Sequence, residues 1–351
     1  MNIAVIGGGI FGGTAAIRLA KEGHEVTLFE KRHDLFQAAS GINQYRLHRG
    51  YHYPRSDHTI RSCADSIPLF EEEYGEALIK DIDHFYCIAK EGSFVDGKQF
   101  LGICAYFDLP IKKEVPPFLN RDAVDVVIRG DEYTIDPFIL TRIVKDRLKK
   151  EGVKVLLNTE ADVNELKKKY DFVVIATYAD LNKTLGKEYS SSPHQYELCE
   201  KIVVKLPPEF KKQSCVILDG PFTCFDPYGD TGYFVMGHVE HAIHVRNVGE
   251  RPEIPDEFKD YLNAGLIKNP KVTNFKKFIE SAKHFFPKIA EAEHVGSLFT
   301  IRTVLPNLEK TDARPTLVQQ IDDNVISVFS GKIGTCVRAA EEVSQIINAE
   351  E

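Results

Sequence analysis

The sequence predicts an α/β protein in which a doubly wound α/β domain is interleaved with a β-rich α+β domain. Three observations predict it. The chain opens on an apolar strand, Ile3-Ala4-Val5-Ile6, which runs into Gly7-Gly8-Gly9-Ile10-Phe11-Gly12 and then a helix. A second strand–glycine–helix unit closes it: Val325 to Phe329, Gly331 to Gly334, and a helix to about Ile347. Between these units the pattern turns β-rich twice, from about Ala77 to Val127 and from about Tyr196 to Val248, with an α/β stretch separating the two.

The opening unit carries the most chemistry. Gly7, Gly9 and Gly12 stand at the spacing of the dinucleotide fingerprint. The first permits a tight turn, the second lets backbone approach a pyrophosphate, and the third lets the helix lie close to the sheet. The following helix, expected from Gly13 to Glu22, turns the amides of its N-terminal end, with Ile10 and Phe11, toward the phosphates. The next strand, Glu25 to Phe29, ends at Glu30, a carboxylate placed to accept hydrogen bonds from both ribose hydroxyls of an adenosine and to repel a 2′-phosphate.

Further along, Asp136-Pro137 predicts the start of a helix, with Asp as cap and Pro in the first turn. Ile139, Leu140, Ile143, Val144 and Leu148 continue it at helical spacing to Gly152. Val153 to Leu157 and the wholly apolar Asp171 to Thr177 read as strands, the latter buried on both faces. Cys199 to Leu206, Ser214 to Leu218 and Tyr233 to Met236 are expected strands, and helices are expected from about Asp256 to Phe286.

The whole chain narrows the function classes. At 351 residues it is long enough for one large core or two closely joined domains. Its 43% hydrophobic and 27% charged residues are those of an ordinary globular protein. A net charge of −8 argues against a nucleic-acid partner and gives no general attraction to anionic membranes. No apolar run is long enough to span a bilayer, and the opening apolar stretch, broken by glycines, does not read as a signal peptide. Seven cysteines without a CxxC pair suggest reduced thiols and a cytoplasmic location.

With these residues in place, the chain resembles the D-amino-acid oxidase, glycine oxidase and L-2-hydroxyglutarate oxidase superfamily of FAD-dependent oxidoreductases. The block ending at Glu30-Lys31-Arg32, the segment Ile135-Asp136-Pro137 with Leu140, and Gly152 to Val155 are similar to its flavin-binding parts. So are Asp171 to Thr177, Phe285-Phe286-Pro287, Arg302, Asp312-Ala313-Arg314-Pro315, and Ser330-Gly331 with Gly334. Where the family has a glycine after its second flavin-contact strand, this chain has Tyr178. The stretch from Ser40 to Ser56 resembles the segment of L-2-hydroxyglutarate oxidases that runs beneath the isoalloxazine ring, with Asn43, His48, Gly50, Tyr53, Pro54 and Ser56 on the pattern. Gln44, Tyr45 and Arg46 replace small and apolar residues there.

The resemblance implies a Rossmann-like FAD-binding domain from residues 1–76, 128–190 and 296–351, and a substrate domain from 77–127 and 191–295. It implies FAD held by Gly7, Gly9, Ile10, Phe11, Gly12, Glu30, Lys31, Arg32, Ser40, Gly41, Asn43, Gln44, Ala176 and Thr177, and covered by Gly331, Lys332, Ile333 and Gly334. No second GxGxxG unit is present for a nicotinamide reductant, so electrons are expected from an organic substrate. The expected reaction is oxidation of a C–N or C–O bond in a small anionic substrate, with oxygen, a quinone or another carrier as acceptor. His48 and His52 are the candidate bases, since histidine titrates near neutrality. If the segment were extended, both would share one face with Arg46. Arg302, at the family's carboxylate-gripping position, and Tyr53 complete the catalytic set.

Arg46, Arg49, Arg302, Tyr51 and Tyr228 are the expected substrate contacts, because arginine binds carboxylates through a planar fork. Arg55 is a further cation in the same stretch. A flavin-dependent sugar-nucleotide mutase and a non-catalytic flavin sensor are the alternatives. His238, His241 and His244 are not expected to bind a metal, because alternation along one strand would send His241 to the opposite face. Cys336 is expected to be a buried thiol rather than a covalent flavin link.

Overall fold

Strand Asn2–Ile6 takes the middle of a six-stranded sheet because its side chains from Ile3 onward are all buried. It pairs in parallel with Glu25–Phe29 on one side and Phe172–Ile175 on the other, so that Val5 lies level with both Leu28 and Val174. The strand order is Leu317–Asp322, Val325–Phe329, Phe172–Ile175, Asn2–Ile6, Glu25–Phe29, Lys154–Leu156. All are parallel except the antiparallel hairpin that joins the first two. Parallel strands need long crossovers, which leave helices on the faces of the sheet. Ile10–Lys21, Pro137–Lys150 and Cys336–Asn348 pack together over one face, and Leu181–Tyr189 helps to cover the other. The computed structural model describes residues 1–189, 192–308 and 311–350. The domain boundary expected between 190 and 191 lies outside them.

Val325–Phe329 is separated from Asn2–Ile6 by one strand and runs parallel to the same neighbour. The turns that follow these two strands therefore emerge at the same edge of the sheet. That edge, at the carboxyl ends of parallel strands, is where ligands bind in open α/β sheets.

A second, mixed sheet is built around the twelve-residue strand His194–Lys205. Along one of its edges run Ile243–Gly249 and Phe234–His238, and along the other runs Glu293–Val304, all antiparallel to it. The sheet continues from Phe234–His238 through Thr223–Pro227, Gln213–Leu218, Asp83–Ala89 and Val124–Gly130 to Ile111–Lys112. Val124–Gly130 and Glu293–Val304 lie wholly in this sheet, so the expected boundaries at 128 and 296 each cut through a strand.

Four local expectations are corrected. The first helix begins at Ile10 rather than Gly13, which puts Gly12 inside its first turn. Residues 77–127 contain a helix, Gly97–Tyr106, as well as strands. Asp96 caps it by accepting from Gln99 N while the Gln99 side chain accepts from Asp96 N. Instead of helices throughout 256–286 there are a 3-10 turn, Asp256–Phe258, and a helix, Phe275–Ala282. Asn263, Gly265 and Asn269, all at positive φ, break the stretch between them. Finally, His238, His241 and His244 do not share a strand. Phe234–His238 and Ile243–Gly249 flank a turn, and the turn stacks the His238 and His241 rings 4.0 Å apart while His244 bonds Glu200 at 2.9 Å.

At the end of Phe172–Ile175 stands Tyr178, with φ +50°, in the left-handed region that glycine ordinarily fills. Its hydroxyl accepts from Thr303 N and donates to Thr303 O, both at 3.0 Å. The phenol thereby binds the outer edge of Glu293–Val304 and holds the strained residue in place.

The helix Pro137–Lys150 starts where the sequence predicts. Asp136 Oδ1 accepts from Phe138 N and Ile139 N at 2.9 and 3.0 Å, and Oδ2 accepts from Asp230 N at 3.3 Å. Asp136→Ala should therefore lower unfolding stability by about 1–2 kcal/mol, read as a fall in the urea midpoint at unchanged slope.

Candidate active site

The two glycine turns open into one cavity of about 1410 Å³, larger than the roughly 300–1,000 Å³ of ordinary small-ligand sites. Gly7, Gly9, Ile10, Phe11, Glu30, Lys31, Arg32, Ser40, Asn43, Gln44, Ala176, Thr177, Gly331, Lys332 and Ile333 all line it, as do His48, His52, Tyr53, Arg46 and Arg302. Gly12, Gly41 and Gly334 stand behind the lining and let it form. A Cβ on Gly12 would lie 1.9 Å from Gly7 O, one on Gly41 2.1 Å from Phe36 O, and one on Gly334 2.8 Å from Leu47.

At the opening turn, Gly7 has φ +111° and lies so close to Ala176 that a Cβ would meet its carbonyl oxygen at 2.4 Å. Glu30 reaches back under the turn. One carboxylate oxygen accepts from Gly8 N at 2.7 Å and the other from Arg32 N at 2.8 Å. Ser40 Oγ accepts from Ile10 N at 2.9 Å. Gly9, the cap of the first helix, offers no side chain of its own to the amides behind it.

Beyond the turn, the segment expected to be extended folds differently. Only Arg46–Leu47 is strand, and a turn at Gly50, with φ +123°, follows. This turn brings the His48 and His52 rings to 5.1 Å from each other, with Tyr53 against both at 5.5 and 5.0 Å. Lys332 reaches in from the closing turn, its amine 4.2 Å from the Tyr53 ring centre. Burial, and then the Lys332 charge, hold both imidazoles well below the ordinary histidine range. Burial also pushes Lys332 down to about 7.

Three other expected contacts lie away from the cavity, two of them carried off by the same turn. Arg49 pairs with Asp131 at 2.9 Å. Tyr51 donates to Pro110 O and stacks on Tyr86, and Tyr228 stacks on Tyr45 at 5.4 Å. None of the three lines the cavity. Arg46 does, but its Nε bonds Asp226 at 2.9 Å and its Nη2 lies 2.8 Å from the same carboxylate. Cys336 is fully buried at the start of the last helix, outside the lining.

Three residues matter here that sequence reasoning missed. Glu132, fully buried, accepts from Tyr86 OH at 2.5 Å and Arg49 N at 2.6 Å. It stands 3.8 Å from both His48 Nδ1 and Arg46 Nη1. Glu197 and Lys201 project into the cavity from His194–Lys205. Alternation with apolar neighbours was a legible signal for Glu197, but the strand was expected to begin only at Cys199; Lys201 lay inside the expected strand, with nothing local to mark the cavity it faces.

Among the described residues nine buried side-chain polar atoms lack a hydrogen-bond partner, and six line this cavity: Gln44 Oε1, Arg46 Nη1, His48 Nδ1, His52 Nδ1, Thr177 Oγ1 and Thr303 Oγ1. Buried polar groups are nearly always paired, so a concentration of unpaired ones marks where a polar ligand belongs. The backbone cradle, Glu30 with a lone pair free on each oxygen, and these atoms fit FAD.

Burial raises the Glu132 carboxyl to about 7, against the ordinary 4.5 of a glutamate in water. Between those values the folded chain holds a proton that the unfolded chain releases. Stability should therefore fall as pH rises from 4.5 to 7, by up to about 3 kcal/mol. Glu132→Gln should flatten this part of the Tm–pH curve.

The family profile described as "DAO: FAD dependent oxidoreductase" matches residues 2–326. The chain is 27% identical over 389 residues to the FAD-dependent monooxygenase kojA of Aspergillus flavus, covering 99% of this chain and 86% of that protein. It is 28% identical over 367 residues to the FAD-dependent monooxygenase FPY4 of Fusarium mangiferae, covering 99% and 92%. Among solved structures, glycine oxidase from Geobacillus kaustophilus superposes with a TM-score of 0.74 at 15% identity, covering 99% of this chain and 95% of that one. L-α-glycerophosphate oxidase from Mycoplasma pneumoniae, with FAD bound, gives 0.73 at 16% identity, covering 99% and 94%. These two likenesses speak for the fold. The profile runs from the opening turn through the β-rich insertions to residue 326, well over half of the chain, so the protein belongs to the DAO family of FAD-dependent oxidoreductases, with FAD as its cofactor.

Proposed function

We propose that the protein oxidises a C–O or C–N bond of a small substrate, with His48 or His52 taking the hydroxyl or amine proton. The observation that carries this reading is a pair of buried imidazoles, each with an unpartnered Nδ1, lining the cavity beside Lys332 and Tyr53. When bound, FAD supplies the acceptor for the hydride that leaves the substrate carbon.

Held below the ordinary histidine range, both imidazoles are neutral at pH 7 and able to accept a proton. Lys332, close to its midpoint there, sets the local positive potential against which they work. Toward solvent, Phe222 and the exposed Phe94 line the cavity, and Arg55 grips Asp219 through two hydrogen bonds of 2.7 and 3.1 Å. The expected anionic substrate rested on Arg46, Arg49, Arg55 and Arg302. Each meets a carboxylate of the protein itself: Asp226, Asp131, Asp219 and Glu197 respectively. The reading therefore keeps C–O or C–N chemistry without resting on a substrate anion. Oxygen, a quinone or another carrier would take the electrons onward. No helix among the described residues is long and apolar enough to cross a membrane, and seven buried free cysteines suit a reduced, cytoplasmic setting.

The two fungal relatives named monooxygenases favour a second reading, in which an oxygen atom is inserted into the product. An anaerobic screen of alcohols, amines, 2-hydroxy acids and amino acids separates the readings. Oxidation of a C–O or C–N bond requires a substrate that bleaches the yellow protein without air. A monooxygenase needs a separate reductant and places label from 18O2 in its product, and a mutase or sensor shows no bleaching by any of them. His48→Ala should keep FAD yet slow bleaching by about 10²–10⁴-fold if His48 is the base, with His52→Ala as the matching test. Gly12→Ala, whose Cβ would overlap Gly7 O, should yield protein that purifies colourless.

A further inference from the structure

Alternation along His194–Lys205 turns Gln195, Glu197, Cys199 and Lys201 toward the cavity. Sheet register then sets Glu197 between two arginines. Arg246 lies opposite it on Ile243–Gly249, and Arg302 lies opposite it on Glu293–Val304. Directly opposed residues on one face of an antiparallel pair have Cβ atoms about 5 Å apart, so the backbone itself enforces these ion pairs.

Glu197 is 1% exposed. Its Oε2 accepts from Arg302 Nε at 2.5 Å and is also paired with Arg302 Nη2. Its Oε1 accepts from Arg246 Nε at 3.0 Å, lies 3.0 Å from Arg246 Nη2, and accepts from Gln195 Nε2 at 2.9 Å. The Nε–Nη2 edge of a guanidinium is a fork that holds a carboxylate by two parallel bonds. On both arginines that edge is spent on Glu197.

We propose that Glu197 is a specificity-determining residue: as a carboxylate owned by the protein it occupies the Nε–Nη2 edges of both arginines of the cavity wall, and so favours substrates that lack a carboxylate and are held through hydroxyl, carbonyl or amine groups. A substrate carboxylate brought to Arg302 would stand beside Glu197 and be repelled by it. The internal anion is present at neutral pH, since burial would raise the Glu197 carboxyl but Arg302 and Arg246 outweigh it and hold it below the usual range. At the same wall Arg314 is likewise paired with a carboxylate of the protein, Asp312, through Nη2. The inference rests on the oxidase reading for its statement about substrates, whereas the closure of the forks does not require flavin.

Calorimetric titration of the FAD-loaded protein with acetate tests it. Wild type should show no saturable heat at tens of millimolar. Glu197→Ala should bind acetate at least about tenfold more tightly, and Glu197→Ala with Arg302→Ala should lose that gain. Glu197→Gln, equal in volume and uncharged, gives the same comparison if the alanine variant does not fold, and the wild-type arm needs no variant. Saturable acetate binding by wild type that Arg302→Ala abolishes would overturn the proposal. So would bleaching by carboxylate-bearing substrates and not by their decarboxylated counterparts. Protein that no alcohol or amine bleaches would instead count against the oxidase reading, and the calorimetry would still decide on Glu197.

Discussion

The absence of a side chain at Gly12 is the constraint on which the site depends. Because nothing projects from it, the first turn of Ile10–Lys21 rests directly on the Gly7 carbonyl, and Gly7 rests on the carbonyl of Ala176. At the closing turn Gly331 is equally tight, since a Cβ there would lie 2.2 Å from Arg314 O. The sites of closest approach are thus backbone on backbone. Amides and carbonyls do not change with rotamer, so the cradle keeps its shape whatever the surrounding side chains do. Glu30, Lys332 and the His48–His52 pair take their positions from it.

Around this cradle the protein buries many charges, and how each is satisfied separates scaffold from site. Glu200 is fully buried and accepts from Ser297, Thr273 and Asn274 N while bonding His244. It ties a strand to the irregular stretch before Phe275–Ala282 and leaves no capacity for a ligand. Arg46 is almost as fully engaged, by Asp226 and Ser214. The imidazoles of His48 and His52 lack such partners on Nδ1. A buried polar atom left unpaired costs about 1–3 kcal/mol, which a fold tolerates readily only where something else comes to bond it.

What the sequence revealed depended on how far apart the contributing residues lie. The opening strand, glycines, helix and Glu30 were legible because they form one local unit, and the closing unit for the same reason. Asp96 and Gln99 announced a helix just as locally, although the apolar β-like runs on either side masked it. His48 and His52 were legible as a pair but not the turn that joins them, which depends on Gly50 packing against Ile60. Arg49, Tyr51 and Tyr228 looked like pocket residues by type, and that turn together with the Tyr45 stack directs them elsewhere. Glu132 was out of reach, and for Glu197 only the alternation was legible, not its pairing with Arg246 and Arg302. Their meaning lies in partners dozens of residues away, brought alongside by pairing that no local pattern encodes.

Tyr178 has a mechanical consequence. Its phenol does for Thr303 what a neighbouring strand would do, taking both the amide and the carbonyl on the edge that Ile267 and Asn263 bond further back, at Ser297 and Phe299. The residue itself stands just past Phe172–Ile175, whose next residues, Ala176 and Thr177, line the cavity beside the opening turn. Thr303 adjoins Arg302. One aromatic ring thus acts as a rivet between the strand end beside the opening turn and the strand that carries Arg302, two walls of one cavity, and a shift in either layer is felt by the other.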